Sequence, residues 1–402
     1  MKICGIVAEY NPFHRGHLYQ IEETRRRLGA DTAIVCCMSG DYVQRGEAAL
    51  MDKHRRAEAA VRCGADLVLS LPLRWSLSSA PGFADGAVHI LRHAGARYLS
   101  FGVEDDDLEE LTAIARLIAE KSVEEAIIAR MDEGMPYAIA RERVLYARIR
   151  EKAGLIAKPN NILAVEYLRA MEAQGAAMTP IAVARRGAGH DGSGVQEGVA
   201  SASYIRSLVR EGRLEAVRPL MPEASFDILA AACAEGCAMD DLTRLDCAMT
   251  AVLSRMTARE LALVPAAAEG LEHRLAAAVR QGRTFSEMCD LAKTKRYAHA
   301  RIRRMLCSAF LGLEKQPRSL PGFSRVLAFN DRGRKVLARL PQTEEGPVFL
   351  TKPASARRLT PAQLAEFELE ARAADAYDLA LPAYAALRPG REWTRGPVYV
   401  RP

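Results

Sequence analysis

His14, Gly16 and His17 stand in the run Asn11-Pro12-Phe13-His14-Arg15-Gly16-His17. Two imidazoles three residues apart can follow negative charge as it develops on a phosphoryl group, and the glycine between them leaves the backbone open to a nucleotide. A second set lies at Ala200-Ser201-Ala202-Ser203-Tyr204-Ile205-Arg206, where serine hydroxyls and N–H groups at a helix start, with an arginine one turn in, form an anion clamp. Each set has a plainer reading: surface or metal-binding histidines, and serines that only cap a helix. Taken together they point to phosphate chemistry. Arg185 and Arg186, followed by glycines up to Gly192, suit the same ligand. Gln44 and Arg45, after Ser39-Gly40-Asp41, could bind a carboxylate or phosphate or lie in an exposed loop.

These residues need elements to hold them. Ile3, Cys4, Ile6 and Val7 make the apolar run of an inner parallel strand from Lys2 to Glu9, which Pro12 stops. Leu18, Ile21 and Leu28 recur at helical spacing opposite Glu22, Glu23, Arg25 and Arg26, predicting a helix over 17–27. The histidines thus fall where a strand hands over to a helix, and unpaired N–H groups there hold anions. Further strands are expected over 32–38, 66–71, 98–103 and 181–184, between helices over 53–63, 83–93, 108–131, 137–153, 162–173 and 205–210. That alternation predicts an α/β, Rossmann-like domain with a parallel sheet, and Gly102 facing the histidines across a crevice. His54, Arg55 and Arg56 oppose the dipole of their helix and predict an anion beside it.

The chain has 402 residues, enough for two domains, and its 49% hydrophobic and 26% charged content is that of an ordered globular protein. A net charge of +6 does not by itself require a nucleic acid. The nine cysteines, mostly inside apolar runs, read as reduced and packed; Cys233 and Cys237 lack a second pair and a nearby histidine, so no metal site is expected. The first residues already belong to a strand, and no uncharged apolar run approaches the roughly 20 residues of a membrane span, so a cytoplasmic protein with no membrane association is expected. No residue pattern specifies an oligomeric state.

From about Arg218 the composition turns to alanine- and leucine-rich helices. A division into residues 1–215 and a mainly α-helical 216–402 follows. In the second part Lys293, Lys295, Arg296, Arg301, Arg303 and Arg304 are crowded into twelve residues with Tyr297 and His299. The cations would contact RNA phosphates and an aromatic would stack on an exposed base; a solvated basic helix face is the other reading. Residues 323–340 add basic charge, 347–350 suggest a short strand, and 359–379 a helix with Glu366, Glu368, Glu370 and Asp375 on an exposed face. The Arg- and Pro-rich tail from Arg388 is assigned no function.

The His-x-Gly-His and the Ser-rich Ile-Arg motif resemble the adenylyl-transferring nucleotidyltransferases. The stretches Gly5 to His14, Met38 to Glu47, Pro159 to Leu163 and Gly187 to Asp191 together resemble the bacterial tRNA(Met) cytidine acetate ligases, over nearly the whole chain. The resemblance implies two steps. Acetate attacks the α-phosphate of ATP, giving acetyl-adenylate and pyrophosphate; the N4 amine of the wobble cytidine in elongator tRNA(Met) then takes the acetyl group, giving N4-acetylcytidine. ATP is thus the implied cosubstrate, with Mg2+ accompanying it, and acetate and elongator tRNA(Met) the implied partners. Carried over by position, the ATP site is Val7, Ala8, Glu9, Tyr10, Asn11, Pro12, Phe13, His14, Arg15, Gly16, His17, Leu18, Tyr19 and Gln20, with Gly102, Asn161 and Arg186. Asn160 and Arg185 are adjacent alternatives. His14 and His17 would stabilise the α-phosphoryl centre, and Ser201, Ser203 and Arg206 would hold the outer phosphates. The chain departs from the family pattern at Arg15, where Asn is usual, at Ser203, where Thr is usual, and before His190, where a Tyr is missing.

Two other functions use some of the same residues. Adenylyl transfer to a small phosphorylated cofactor precursor leaves the basic helical half unexplained. A non-catalytic RNA-binding protein on the same fold is opposed by the intact His14, Gly16, His17 and Arg206. Fold alone does not separate these readings, whereas acetate-dependent release of pyrophosphate does.

Overall fold

The apolar runs of the first half form a sheet buried on both faces. The computed structural model describes residues 1–105, 107–132, 135, 137–185, 195–196, 199–239, 241–268, 270–294, 297–317, 319–340 and 346–401. The first strands are β1 (Ile3–Ala8), β2 (Ala33–Ser39), the hairpin pair β3 (Tyr42–Val43) and β4 (Glu47–Ala48), β5 (Leu67–Leu71), β6 (Tyr98–Val103) and β7 (Thr179–Ala184). Five of them pair in parallel in the order β5-β2-β1-β6-β7. Every residue of β2 and β5 is buried, which is why these strands read as unbroken apolar runs. The helices α1 (Arg15–Leu28), α2 (Lys53–Arg62), α3 (Ala80–His93), α4 (Pro159–Ala173) and α5 (Ala202–Arg210) connect or flank them. The chain steps outward from β1 to β2 and β5, then returns to β6 on the other side of β1. Such a reversal opens a crevice at the carboxyl ends of the two central strands.

Local details differ from the spacing. The stretch 108–131 is two helices, Leu108–Ala119 and Lys121–Asp132, divided where Glu120 turns extended. Helix α4 begins earlier than expected, with Pro159 in its first turn, where the missing N–H costs nothing.

The larger correction concerns the second half, which returns to the first half's sheet. After the short pair β8 (Val195–Gln196) and β9 (Val199–Ala200) come β10 (Phe323–Phe329), β11 (Val348–Leu350) and β12 (Val398–Tyr399). Strand β10 lies antiparallel on β5, with Val326 opposite Leu69 and Phe329 opposite Leu67, and β11 and β12 extend it. The sheet therefore crosses the division expected at 215/216. Without β10, β5 would present an unpaired apolar edge. The helices α6 (His299–Leu311) and α7 (Pro361–Asp378) belong to a helical core that also takes in Tyr42, Leu73 and Leu77 from the first half.

A buried ionic network closes the seam. Lys53, 2% exposed, pairs with Glu370 at 3.1 Å and Glu392 at 2.9 Å, and Glu392 also pairs with Arg325. Asp41 pairs with Arg391 at 2.8 Å and Asp52 with Arg395 at 3.1 Å. Glu370 is thus an interior partner, not part of an exposed face, and the Arg-rich tail is an anchor. The anion expected beside His54, Arg55 and Arg56 is Asp52, which caps α2 by accepting from the N–H groups of His54 and Arg55. Arg56 is wholly buried and donates to the carbonyls of Glu9, Ser39, Gly40 and Met51, tying the ends of β1 and β2 together. All nine cysteines are free thiols, and six of them are buried. Among the described residues no helix is long and apolar enough to cross a membrane.

Candidate active site

His14 takes an extended backbone and caps α1, and the Gly16 N–H donates to its Nδ1 at 3.1 Å. The His14 N–H donates in turn to Nδ1 of His17 at 3.2 Å, and the two rings stack with centroids 3.8 Å apart. Burial, with Arg185 and Arg206 nearby, lowers the His14 pKa to about 3; burial, His14 and Arg185 push His17 well below its usual value. Both rings are therefore neutral at pH 7. With Nδ1 accepting, each carries its proton on Nε2 and serves as a donor there. A Cβ on Gly16 would stand 2.9 Å from the His14 ring, so the glycine first makes room for that imidazole rather than for a nucleotide. Tyr10, in a left-handed backbone conformation with φ 45°, sets its ring 4.8 Å from those of Phe13 and His17 and fixes the latter from behind.

The second motif meets the first directly. Ser201 caps α5 by accepting from the Tyr204 N–H at 3.2 Å. Arg206 donates to the Asn11 carbonyl at 2.8 Å, to Glu47 at 3.1 Å and to Ser203 Oγ at 3.3 Å. Asn11 Nδ2 and Arg206 Nε are buried donors with no partner among the described residues.

Both motifs line one cavity of about 230 Å³ at the carboxyl ends of β1 and β6. From the stretch 7–20 it receives Val7, Ala8, Glu9, Tyr10, Asn11, His14, Gly16, His17, Tyr19 and Gln20; of the other expected residues Ser201, Ser203, Arg206 and Gly102 line it too. Four residues of the stretch do not line it. Pro12 and Phe13 are packed beneath, Leu18 joins the core under α1, and Arg15 reaches away to the Pro219 carbonyl at 2.7 Å. Asn161, 0% exposed, is a latch: its oxygen accepts from the Glu104 N–H at 3.0 Å and its amide donates to Asp105 at 2.9 Å. Its neighbour Asn160 lines the cavity with Arg185, which donates to it at 3.0 Å. Arg186 and the loop through Gly192 lie outside the described residues.

Gln44 and Arg45 line the cavity too, as do Phe83, Phe101 and Tyr167, which give it an aromatic wall that the sequence did not reveal. Those three sit inside apolar runs whose spacing is that of any packed strand or helix. Glu9, at the end of β1, is the one acidic side chain of the lining among the described residues, and its Oε1 accepts from the Gln44 N–H at 2.9 Å.

The basic run divides. Lys293 is exposed, and Lys295 and Arg296 lie outside the described residues. Tyr297 is only 7% exposed, packed in the helical core with the Arg301 guanidinium 5.4 Å from its ring centroid, so it offers no face for a base. His299 lies 3.2 Å from Asp290, and Arg301 donates to the Ala266 carbonyl at 2.9 Å. Arg303 pairs with Glu47 at 2.9 Å, and Arg304, its pKa lowered to about 10 by burial, donates to the Gln44 carbonyl at 3.3 Å. Helix α6 thus docks on the β3–β4 hairpin. At Gly46, with φ 75°, a Cβ would come 2.5 Å from the Arg304 nitrogen, so the approach requires glycine.

Comparison with known proteins agrees with this geometry. The profile of the family described as HIGH Nucleotidyl Transferase matches residues 1–390. The tRNA(Met) cytidine acetate ligase of Acetivibrio thermocellus is 31% identical, over 98% of this chain and 99% of its own. The protein of that name from Syntrophotalea carbinolica is 35% identical, over 99% of each chain. Among solved structures, Thermotoga maritima TmcAL in its apo form superposes with a TM-score of 0.94 and 28% identity over the whole of both chains. The same protein bound with alpha-thio ATP gives a TM-score of 0.91, again at 28% identity over the whole of both.

Proposed function

We propose, because this chain belongs to the HIGH nucleotidyl transferase family and within it to the tRNA(Met) cytidine acetate ligases, that it uses ATP to join acetate to the N4 amine of the wobble cytidine in elongator tRNA(Met). The observation that supports this best is one cavity lined by His14, His17, Ser201, Ser203 and Arg206, its two imidazoles kept as Nε2–H donors. Such a set suits an acceptor-rich anion and is built before the ligand arrives.

In the first step an acetate oxygen attacks the α-phosphorus of ATP and pyrophosphate leaves. His14 and His17 donate to oxygens of the reacting phosphoryl group, while Arg206, Ser203 and the start of α5 hold the outer phosphates. Acetate is already ionised, so this step needs no base. The aromatic wall of Phe83, Phe101 and Tyr167 gives a planar ring a surface to pack on. Among the described residues no group of three or more His, Cys, Asp or Glu side chains gathers at one point, so the Mg2+ that accompanies ATP would be held by phosphate oxygens and water. When bound it neutralises phosphate charge. In the second step the cytidine amine takes the acetyl group from acetyl-adenylate, and AMP leaves. Lys293, Lys295 and Arg296 are the part of the basic run we assign to tRNA phosphates, and the cytoplasm is where that substrate is met.

The test is incubation of the purified protein with ATP, labelled acetate and unmodified elongator tRNA(Met), followed by nucleoside analysis. Label in N4-acetylcytidine is the expected result. Pyrophosphate release that ignores acetate would instead favour adenylyl transfer to another acceptor.

A further inference from the structure

We propose that Glu9 is the proton acceptor of the second step, taking a proton from the cytidine N4 amine as that nitrogen attacks the acetyl carbonyl. The inference rests on the acetate ligase reading above. Acetylation of an amine forms a C–N bond, breaks the bond between the acetyl carbon and the AMP oxygen, and releases one proton. AMP leaves as a stable anion, and a basic group of the site is placed to take that proton as the bond forms.

The lining offers few acceptors. His14 and His17 have Nδ1 occupied by backbone N–H groups and Nε2 already protonated. Arginines have no lone pair to offer, and the hydroxyl and amide oxygens are too weakly basic at neutral pH. Glu47 is near, yet its two oxygens are taken by Arg206 and Arg303. Glu9 remains. Its carboxylate has one hydrogen bond among the described residues, from the Gln44 N–H to Oε1, which orients the group and leaves the second oxygen free to accept.

The surroundings of Glu9 make its carboxylate more basic than a free one. Burial raises its pKa; the Gln44 N–H, Arg206 and Arg45 act against that rise, and Glu47 adds to it. Tyr167 on α4 feels its charge and is kept neutral by burial, and Arg56 on α2 is a further cation within reach. A carboxyl raised above its ordinary value is a stronger base than a free one.

The experiment separates the steps. Wild type, Glu9→Gln and Glu9→Asp are loaded with ATP and labelled acetate, acetate-dependent pyrophosphate exchange is measured, and elongator tRNA(Met) is then added to follow acetyl transfer in a single turnover at several pH values. Gln keeps a carbonyl for the Gln44 N–H, so the hairpin stays in place. Glu9→Gln should slow acetyl transfer by about a hundredfold or more while slowing exchange less than about tenfold, typical of a lost general base. The wild-type transfer rate should fall as pH drops through the Glu9 titration, the Gln variant should lack that limb, and Asp should restore part of the rate. Equal losses in both steps, or an unchanged pH profile in Glu9→Gln, would overturn the role of Glu9 alone. A wild-type enzyme that makes acetyl-adenylate but leaves the RNA unlabelled would overturn the acceptor and the role together.

Discussion

Arg303 is ion-paired at 2.9 Å to Glu47, whose other oxygen lies 3.1 Å from Arg206, so the basic helix reaches the phosphate clamp through a single acid. Arg303→Met takes one partner from a carboxylate that is only 12% exposed. Stability should fall by about 1–3 kcal/mol, less than for a wholly buried pair because Arg303 is itself partly exposed, as a shift of the urea midpoint would show. The salt dependence of tRNA binding should not change, because this guanidinium is already committed. A slope lower by about one phosphate would mean that Arg303 leaves Glu47 when RNA binds.

Loss of either imidazole removes a donor that matters only as charge develops. His14→Ala or His17→Ala should reduce acetate-dependent pyrophosphate exchange by roughly a hundredfold or more, with tRNA binding within about twofold of wild type. Equal loss of both would mean that the histidines shape the fold. The buried imidazoles also set a pH dependence of stability. The unfolded chain binds protons at the ordinary histidine value while folded His14 does not until about pH 3, so the stability that goes with a neutral His14 is complete above the unfolded value and is lost as pH falls toward 3. His14→Gln should lower the slope of unfolding free energy against pH in that window by up to one proton.

The part of the basic run assigned to tRNA phosphates should do what Arg303 does not. Lys295→Ala with Arg296→Ala should weaken tRNA binding and flatten its dependence on log salt by about two phosphate contacts. Tyr297→Ala should act through the core, costing about 3–5 kcal/mol of stability, as large aromatic truncations do. Unchanged RNA affinity in the double variant would place the RNA surface elsewhere.

What could be read from the sequence was what neighbours in the chain decide. Ile3 to Val7, Pro12 and the helical spacing after His17 fix the handover that holds the histidines, and a parallel sheet followed from the alternation of elements. What could not be read depends on partners far away. Strand β10 hides because Ser324 and Arg325 interrupt its apolar run, and their partners are the Ser70 carbonyl and Glu392. Asn160 and Asn161 are both polar at a helix start, and only the position of Glu104 and Asp105 decides which is buried and which faces the cavity. Tyr297 looked like a stacking platform for the same reason: burial by α6 and its neighbours leaves no mark in a twelve-residue window.

The seam between the halves should be essential to the first half's fold. Lys53 is buried against Glu370 and Glu392, and truncating it to Met leaves two carboxylates in the interior with Arg325 as the remaining partner of Glu392. Removing one member of such a buried set costs about 3–5 kcal/mol. A chain ended after residue 387 would lose Arg391, Glu392 and Arg395 together, uncovering Asp41, Asp52, Lys53 and Arg325, and would strip β12 from β10. That truncation should melt well below the full chain and lose acetate-dependent pyrophosphate exchange, although every residue lining the cavity is still present. Circular dichroism melts and the exchange assay on both variants check this. A truncated chain with normal exchange would show that the site-bearing half folds without the tail.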